Sequence, residues 1–418
     1  MKRCLACGCE LPQDALFVLK NAPASAQDIP DAAQVRDDAG IDLSLYQCEA
    51  CGLVQFDCEP VPYYRDVIRA GGFTTTMTGL RRAQYRHLIE TYHLEGKKFL
   101  EVGCGRGEFL KVLTEFPVRV YGMEHRDELV KLAQESGLYV WREFPDAPDQ
   151  RLAAQSPFDV FLSFNFLEHQ PRPDVMLRAI HSNLAEDGLG LVTVPSLEYI
   201  LERESYYELI RDHIAYYTLD TLERLMERNG FTVLEKERVT ADTLSVIVRK
   251  AQLSESAVDN GTCAGMMGEV PAPVNAALGS ADMASVPAGM SPASVIAQPL
   301  ADGFSRVTAE VARLTGELAA SGKHLALWGA SHQGFTLAAT AGLAGKVEYI
   351  IDSAPFKQGR FAPASHIPIV APDDYFEKPV DAILIVAPGY TEEIAGIIRA
   401  RFGDVRIMTL RSNCIETL

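Results

Sequence analysis

Long apolar runs are missing from this 418-residue chain. A membrane-spanning helix needs about 20 consecutive apolar residues, so no membrane partner is expected. An apolar leader core is missing too. Met1-Lys2-Arg3-Cys4 runs on into cysteines and polar residues, which argues for a cytoplasmic location and for cysteines that are not disulfide-bonded. Positive charge is scarce. The 39 Lys and Arg are outnumbered by 56 Asp and Glu, leaving a net charge of −17. Nucleic-acid binders carry a basic footprint, so no RNA or DNA partner is expected. Aromatic residues and charges nearly vanish across 251–303, where Ala, Gly, Pro, Ser and Met dominate. Such a stretch buries too little apolar surface to offset its ordering entropy, and it reads as a linker or disordered insertion. Elsewhere the 47% hydrophobic content suffices for packed cores, and the length suits two or three domains.

Four of the nine cysteines form a pattern. Cys4-Leu5-Ala6-Cys7 and Cys48-Glu49-Ala50-Cys51 are each followed by a glycine, Gly8 and Gly52, which permits a tight knuckle turn. Two such knuckles supply four thiolates for a tetrahedral Zn²⁺ site. A site closed by four thiolates has no open position, so this zinc is expected to be structural. The segment between the knuckles is too long for a compact ribbon and must form its own lobe, taken as residues 1–70.

The stretch Phe99-Leu100-Glu101-Val102-Gly103-Cys104-Gly105-Arg106-Gly107-Glu108-Phe109 reads as strand, tight turn and helix. Its glycine spacing differs from the G-x-G-x-x-G of dinucleotide sites. It resembles motif I of the class I S-adenosylmethionine (SAM) methyltransferases, E/D-x-G-x-G-x-G. The next strand, Val118 to Met123, stops at Glu124. An acid at that strand tip, about 20 residues past the glycine loop, accepts hydrogen bonds from ribose hydroxyls. Phe158 to Ser163 reads as a buried strand running into Phe164-Asn165-Phe166-Leu167-Glu168-His169, similar to the LEH segment of many small-molecule methyltransferases. A helix over Asp174–Leu184 and strands over Gly188–Pro195, Phe231–Glu235 and Leu244–Val248 complete a doubly wound α/β pattern over 71–250. The resemblance assigns Glu101, Gly103, Gly105, Gly107, Glu124, Asn165 and Glu168 to SAM.

A third lobe is expected over 304–418. Phe304, Val307, Val311, Leu314 and Leu318 recur at helical spacing. Then come a strand ending at Trp328, the turn Gly329-Ala330-Ser331-His332-Gln333-Gly334, and a second strand ending at Asp352. This is a Rossmann-like unit, with nucleotide contact expected there.

The order zinc lobe, SAM domain, Rossmann-like lobe resembles the sugar C-methyltransferases that act on nucleotide-linked keto-deoxysugars. The resemblance rests on Cys48-Glu49-Ala50-Cys51-Gly52-Leu53-Val54-Gln55, on Asp212-His213-Ile214-Ala215-Tyr216-Tyr217-Thr218, and on Asp352 with Lys357-Gln358-Gly359-Arg360 and Ile367-Pro368-Ile369. It implies His213 as the base that removes the α-proton of a ketone, with Asp212 orienting it and Tyr216 as a further catalytic candidate. His169 is the rival base. Lys357, Arg360 and Ser331 are expected to contact the nucleotide sugar, the first two as a phosphate clamp. Ile210 departs from the family, which has a tyrosine three residues before the histidine, and Tyr206 and Tyr207 are nearby substitutes. Methyl transfer to oxygen or nitrogen of another small metabolite is the alternative, and a noncatalytic SAM-binding scaffold the remoter one.

Overall fold

A computed structural model describes residues 2–66, 75–253 and 292–418. The expected boundary at 70/71 and most of the expected linker lie outside the described residues.

The N-terminal lobe is an antiparallel sheet of β1 (Phe17–Ala22), β2 (Ile41–Gln47) and β3 (Val54–Phe56). Both knuckles close by the same bond, Gly8 N to Cys4 O at 2.9 Å and Gly52 N to Cys48 O at 2.8 Å. Gly8 and Gly52 have φ of +75° and +81°, a backbone that side chains resist. The turns bring four buried sulfurs within 4.8 Å of one another.

The middle domain enters through α1 (Thr75–Tyr92) and then alternates: β4 (Lys98–Val102), α2 (Glu108–Leu113), β5 (Arg119–Glu124), α3 (Asp127–Glu135), β6 (Val140–Arg142), β7 (Phe158–Phe164), α4 (Pro173–Ser182) and β8 (Leu184–Pro195). After α5 (Leu197–Glu202), β9 (Ala215–Tyr216) leaves the domain to pair with β3, Val54 opposite Tyr216. α6 (Leu219–Arg228), β10 (Phe231–Arg238) and β11 (Thr243–Lys250) finish it. The seven strands run in the order β10-β11-β8-β7-β4-β5-β6. β6 to β8 are parallel, while β11 and β10 are antiparallel. This is the Rossmann-like α/β class the sequence implied. Its switch point lies between β4 and β7, where ligands of such sheets bind. β7 is buried on both faces and therefore reads as a continuous apolar run.

The C-terminal lobe begins with α7 (Pro292–Ala320). Residues 292–303, expected to be linker, are helix. Val295, Ile296 and Leu300 are buried and continue the stripe of Val307, Val311 and Leu314, so tertiary packing overrides a composition that includes Pro299. Then follow β12 (Leu325–Trp328), α8 (His332–Thr340), β13 (Ile350–Ile351), β14 (Ile369–Val370), β15 (Ala382–Ile385), α9 (Thr391–Arg401), β16 (Arg406–Arg411) and β17 (Cys414–Thr417). The order β14-β13-β12-β15-β16 is parallel, with β17 added as a hairpin. One apolar core joins all three lobes, from Leu19 and Leu45 through Tyr206 and Tyr207 to Leu327 and Phe335.

Gly190 in β8 has a packing reason. A Cβ there would stand 2.0 Å from Cε1 of Phe161 on the neighbouring strand. Gly190→Ala should therefore lower stability to urea by about 1–3 kcal/mol, the usual cost of overpacking. Gly79→Ala in α1, with nothing within 4 Å of the new Cβ, should raise it by about 0.5–1 kcal/mol.

Candidate active site

The three glycines of the turn after β4 do different work. φ is +71° at Gly103, +60° at Gly105 and +79° at Gly107. A Cβ on Gly103 would press on the Phe166 ring at 3.2 Å, and one on Gly107 would strike Leu138 at 2.3 Å. A Cβ on Gly105 would meet only Glu108, at 3.4 Å, so this is the point where the backbone is open to a ligand. Glu124 lies across the turn. Its Oε2 accepts from Gly105 N at 2.9 Å, and its Oε1 accepts from His125 N at 2.9 Å and Arg126 N at 3.1 Å. Oε2, with one donor, retains acceptor capacity. A cleft of about 540 Å³ lies alongside, lined by Tyr63, Asp66, His125, Arg126 and Arg142 among others. Glu101 is fully buried at the end of β4, beside Gly122 and Leu162 in register.

The end of β7 supplies the other half. Asn165 is held at φ +48°. Its N–H donates to Thr193 O at 2.8 Å and its Oδ1 accepts from Thr193 Oγ1 at 3.2 Å. A non-glycine residue in that region stores strain, a feature that clusters at functional sites. The short turn Leu167–His169 follows. His169 Nδ1 bonds the Asp212 carbonyl at 2.6 Å. A carbonyl only accepts, so Nδ1 carries the proton and Nε2 keeps its lone pair. That nitrogen lies 3.8 Å from Glu168 Oε1. Ile214 N donates to Glu168 O at 3.0 Å, so residues 212–214 and 168–169 are laced together. The His213 ring stands edge-on to His169, centroids 4.7 Å apart.

Burial drives the His169 pKa down to about 4, the Asp212 carbonyl opposing weakly. Burial, then the neighbouring His169 and His332, hold His213 well below its ordinary value. Both imidazoles are thus neutral at neutral pH, the state a general base requires. The ligand atoms of Glu168, His169 and His213 lie within 4.8 Å of one another, a donor set that also suits a divalent cation.

Several expected contacts are absent. Asp212 does not orient His213: its Oδ1 accepts from Tyr63 OH at 2.8 Å and its Oδ2 from Ala26 N at 3.0 Å. Tyr216 is not a catalytic hydroxyl. It is fully buried and bonds both backbone groups of Ile210, at 2.8 and 3.2 Å. Tyr206 and Tyr207 do not replace the missing tyrosine, because their hydroxyls bond Thr340 at 3.1 Å and the Ser412 carbonyl at 2.7 Å. The phosphate clamp is not assembled either. Lys357 Nζ bonds Asp352 at 3.0 Å and Ala330 O at 2.9 Å, Arg360 bonds the Ile29 carbonyl at 2.7 Å, and Ser331 Oγ caps α8 by accepting from Gly334 N at 3.3 Å. Tyr63 and Glu208 carried no signal in the sequence, and His332 was read only as part of the C-terminal glycine turn.

Residues 77–236 match the family model described as a methyltransferase domain, and residues 291–402 match the one described as a C-methyltransferase C-terminal domain. The middle domain thus carries the match to methyltransferases, and the C-terminal lobe the match to C-methyltransferases. A ubiquinone biosynthesis O-methyltransferase of Xanthomonas euvesicatoria pv. vesicatoria is 30% identical over 125 residues, 28% of this chain and 52% of that protein. The like-named protein of Pseudomonas fluorescens (strain SBW25) is 34% identical over 96 residues, 22% of this chain and 40% of that protein. The chain thus spans about half the length of the curated relatives it matches, or less. Among solved structures, a SAM-dependent methyltransferase from Aquifex aeolicus aligns at TM-score 0.34 and 16% identity, covering 42% of this chain and 93% of that one. The magnesium protoporphyrin IX methyltransferase of Synechocystis PCC 6803 with bound SAH aligns at TM-score 0.34 and 13% identity, covering 45% and 93%.

The depressed His169 pKa has a stability consequence. The unfolded chain takes up this proton at the ordinary value of 6.5, the folded chain only near 4. His169 therefore supports folding fully above about pH 6.5, and its contribution falls away as pH drops toward 4, by on the order of 3 kcal/mol. Urea midpoints measured from pH 7 to 4 should fall more steeply for wild type than for His169→Gln.

Proposed function

We propose that this enzyme transfers a methyl group from SAM to a carbon next to the ketone of a nucleotide-linked keto-deoxysugar, with His213 as the base. The observation that carries the reading is the pairing of two imidazoles just past the carboxyl end of β7, within a chain that also matches a C-methyltransferase C-terminal domain. Gly105 would give the cofactor close approach to the backbone, while Gly103 and Gly107 shape the turn around it. Glu124 Oε2 would accept from its ribose, while Glu101, Asn165 and Glu168 would line the rest of the pocket. SAM supplies the electrophilic methyl group when bound.

The chain's own residues do the remaining work. His213 would take the α-proton of the acceptor. The enolate carbon would then bond to the methyl group as that group's bond to the sulfonium sulfur breaks, the sulfur keeping the electron pair as a neutral thioether. His169, its tautomer set by the Asp212 carbonyl, presents a second lone pair beside the first ring. In this structure Lys357, Arg360 and Ser331 bond to the protein itself. Methylation of oxygen is the second reading, favoured by the O-methyltransferase names of the relatives.

The two readings part on proton exchange. Wild-type enzyme incubated in D₂O with SAM and a panel of keto-sugar nucleotides should put deuterium on the α-carbon and yield a product heavier by one methyl. His213→Gln should still bind SAM but lose exchange and turnover by about 10²–10⁴-fold. Methylation without exchange would favour oxygen. Loss of activity with EDTA, restored by Mn²⁺ or Mg²⁺, would point to a cation on Glu168, His169 and His213.

Structural Zn²⁺ at Cys4, Cys7, Cys48 and Cys51 belongs to the same reading. The Cys4–Cys51 and Cys7–Cys48 sulfurs are each 3.5 Å apart. A tetrahedron with zinc–sulfur bonds of about 2.3 Å has edges of about 3.8 Å, so the set fits the ion. One zinc per chain is expected by elemental analysis. Cys7→Ser or Cys51→Ser should lose the metal and much of the soluble protein, because metal binding contributes folding energy in such lobes. Metal-free protein of undiminished stability would exclude the site.

A further inference from the structure

The glycine turn of the C-terminal lobe is closed by its own side chains. Asp352 Oδ2 accepts from Ala330 N at 3.0 Å and pairs with Lys357 at 3.0 Å. Ser331 caps the helix behind it. A Cβ on Gly334 would stand 2.1 Å from Gly329 O, so helix and turn are in close contact. Two side chains of this turn, His332 and Gln333, cross to the middle domain. Gln333 Nε2 donates to Glu208 Oε1 at 2.7 Å, and His332 Nε2 lies 3.3 Å from Glu208 Oε2. Among the described residues, no Lys or Arg lies within ion-pair distance of the Glu208 carboxylate, although only 16% of this side chain is exposed. Its two side-chain contacts therefore come from the C-terminal lobe.

Glu208 sits five residues before His213. Tyr206 and Tyr207, just before it, are also bonded to the C-terminal lobe. Four contacts from one lobe thus hold the start of the segment that ends at His213. The cavity at this seam, lined by Ala26, Ile210, Arg211, His332 and Phe335 among others, holds only about 10 Å³, so the lobes are closed against each other there. We propose that His332 and Gln333 are positioning residues. They act through Glu208 to fix His213 against the cofactor turn, so that the C-terminal lobe serves as a clamp on the catalytic segment. The proposal rests on the reading of His213 as the base.

The test uses the full chain and four variants: Glu208→Ala, Glu208→Gln, Gln333→Ala, and the double change His332→Ala/Gln333→Ala. Backbone amide exchange of the peptide spanning 209–214 is followed by mass spectrometry, together with SAM affinity, melting temperature and turnover of whichever keto-sugar nucleotide wild type accepts. Glu208→Ala and the double variant should exchange that peptide at least tenfold faster and lose about 10–100-fold in kcat, the scale of a misplaced group, with SAM affinity within twofold of wild type. Gln333→Ala should shift both in the same direction by less. Glu208→Gln should restore most of both, because its amide oxygen still accepts from Gln333. Unchanged exchange in the double variant overturns the clamp, as does a kcat loss that runs in parallel with lost SAM affinity and melting temperature. If wild type turns over none of the acceptors, the base reading fails, and the amide exchange still decides the clamp.

Discussion

The site depends on one hydrogen bond, from His169 Nδ1 to the carbonyl of Asp212 at 2.6 Å. It joins residues far apart in the chain. On one side it fixes which imidazole nitrogen holds the proton. On the other it sets the backbone one residue before His213. The bond is buried, so either end left alone would carry an unsatisfied polar group, at a cost of about 1–3 kcal/mol. The neighbouring bond from Ile214 N to Glu168 O brackets His213 from the far side. Two rings that would otherwise sample many rotamers are held edge to edge.

Two glycine turns in this chain share a local design and differ in use. Each follows a first parallel strand, and each donates a backbone N–H to the acid at the end of the second, Gly105 to Glu124 at 2.9 Å and Ala330 to Asp352 at 3.0 Å. Around Glu124 only backbone N–H groups fill the acid's other positions, and Gly105 faces open space. Around Asp352 a lysine neutralises the charge and holds the turn carbonyl as well. A cation placed inside the turn removes the polarity that a ribose would need. The second turn's polar side chains are then available for contacts between lobes.

What the sequence made legible was local. Strands β4 and β5 carry apolar runs whose ends are marked by an acid or by glycines, β7 is one apolar run, and the knuckles are marked by cysteine spacing. Periodicity and turn chemistry act within about ten residues, so they show in one dimension. The partners of Asp212 lie 149 and 186 positions away, and that of Arg360 331 away, and no spacing rule covers such distances. A charged residue looks the same in sequence whether it faces a phosphate or a distant carbonyl, hence the misplaced clamp of Lys357 and Arg360. The first turns of α7 were hidden differently. Their alanines, glycine and Pro299 resemble a linker, and only the burial of Val295, Ile296 and Leu300 against another lobe makes them helix.

The N-terminal lobe holds the segment carrying His213 from a third direction. β3 begins three residues after Cys51 and pairs with β9, which begins two residues after His213. Tyr63 and Ala26 hold the Asp212 carboxylate. Burial raises the pKa of that carboxyl, and the hydrogen bonds from Tyr63 and Ala26 oppose the rise. The buried Tyr217 ring packs in one apolar cluster with all four knuckle cysteines. Loosening the knuckles would therefore free β3, and with it the ladder that ends beside His213. A segment bonded from three sides has few alternative positions, because any shift breaks contacts to at least two lobes at once. The lobe built around the knuckle cysteines thereby helps to hold His213, and its Tyr63 and Asp66 also line the cleft beside the glycine turn after β4.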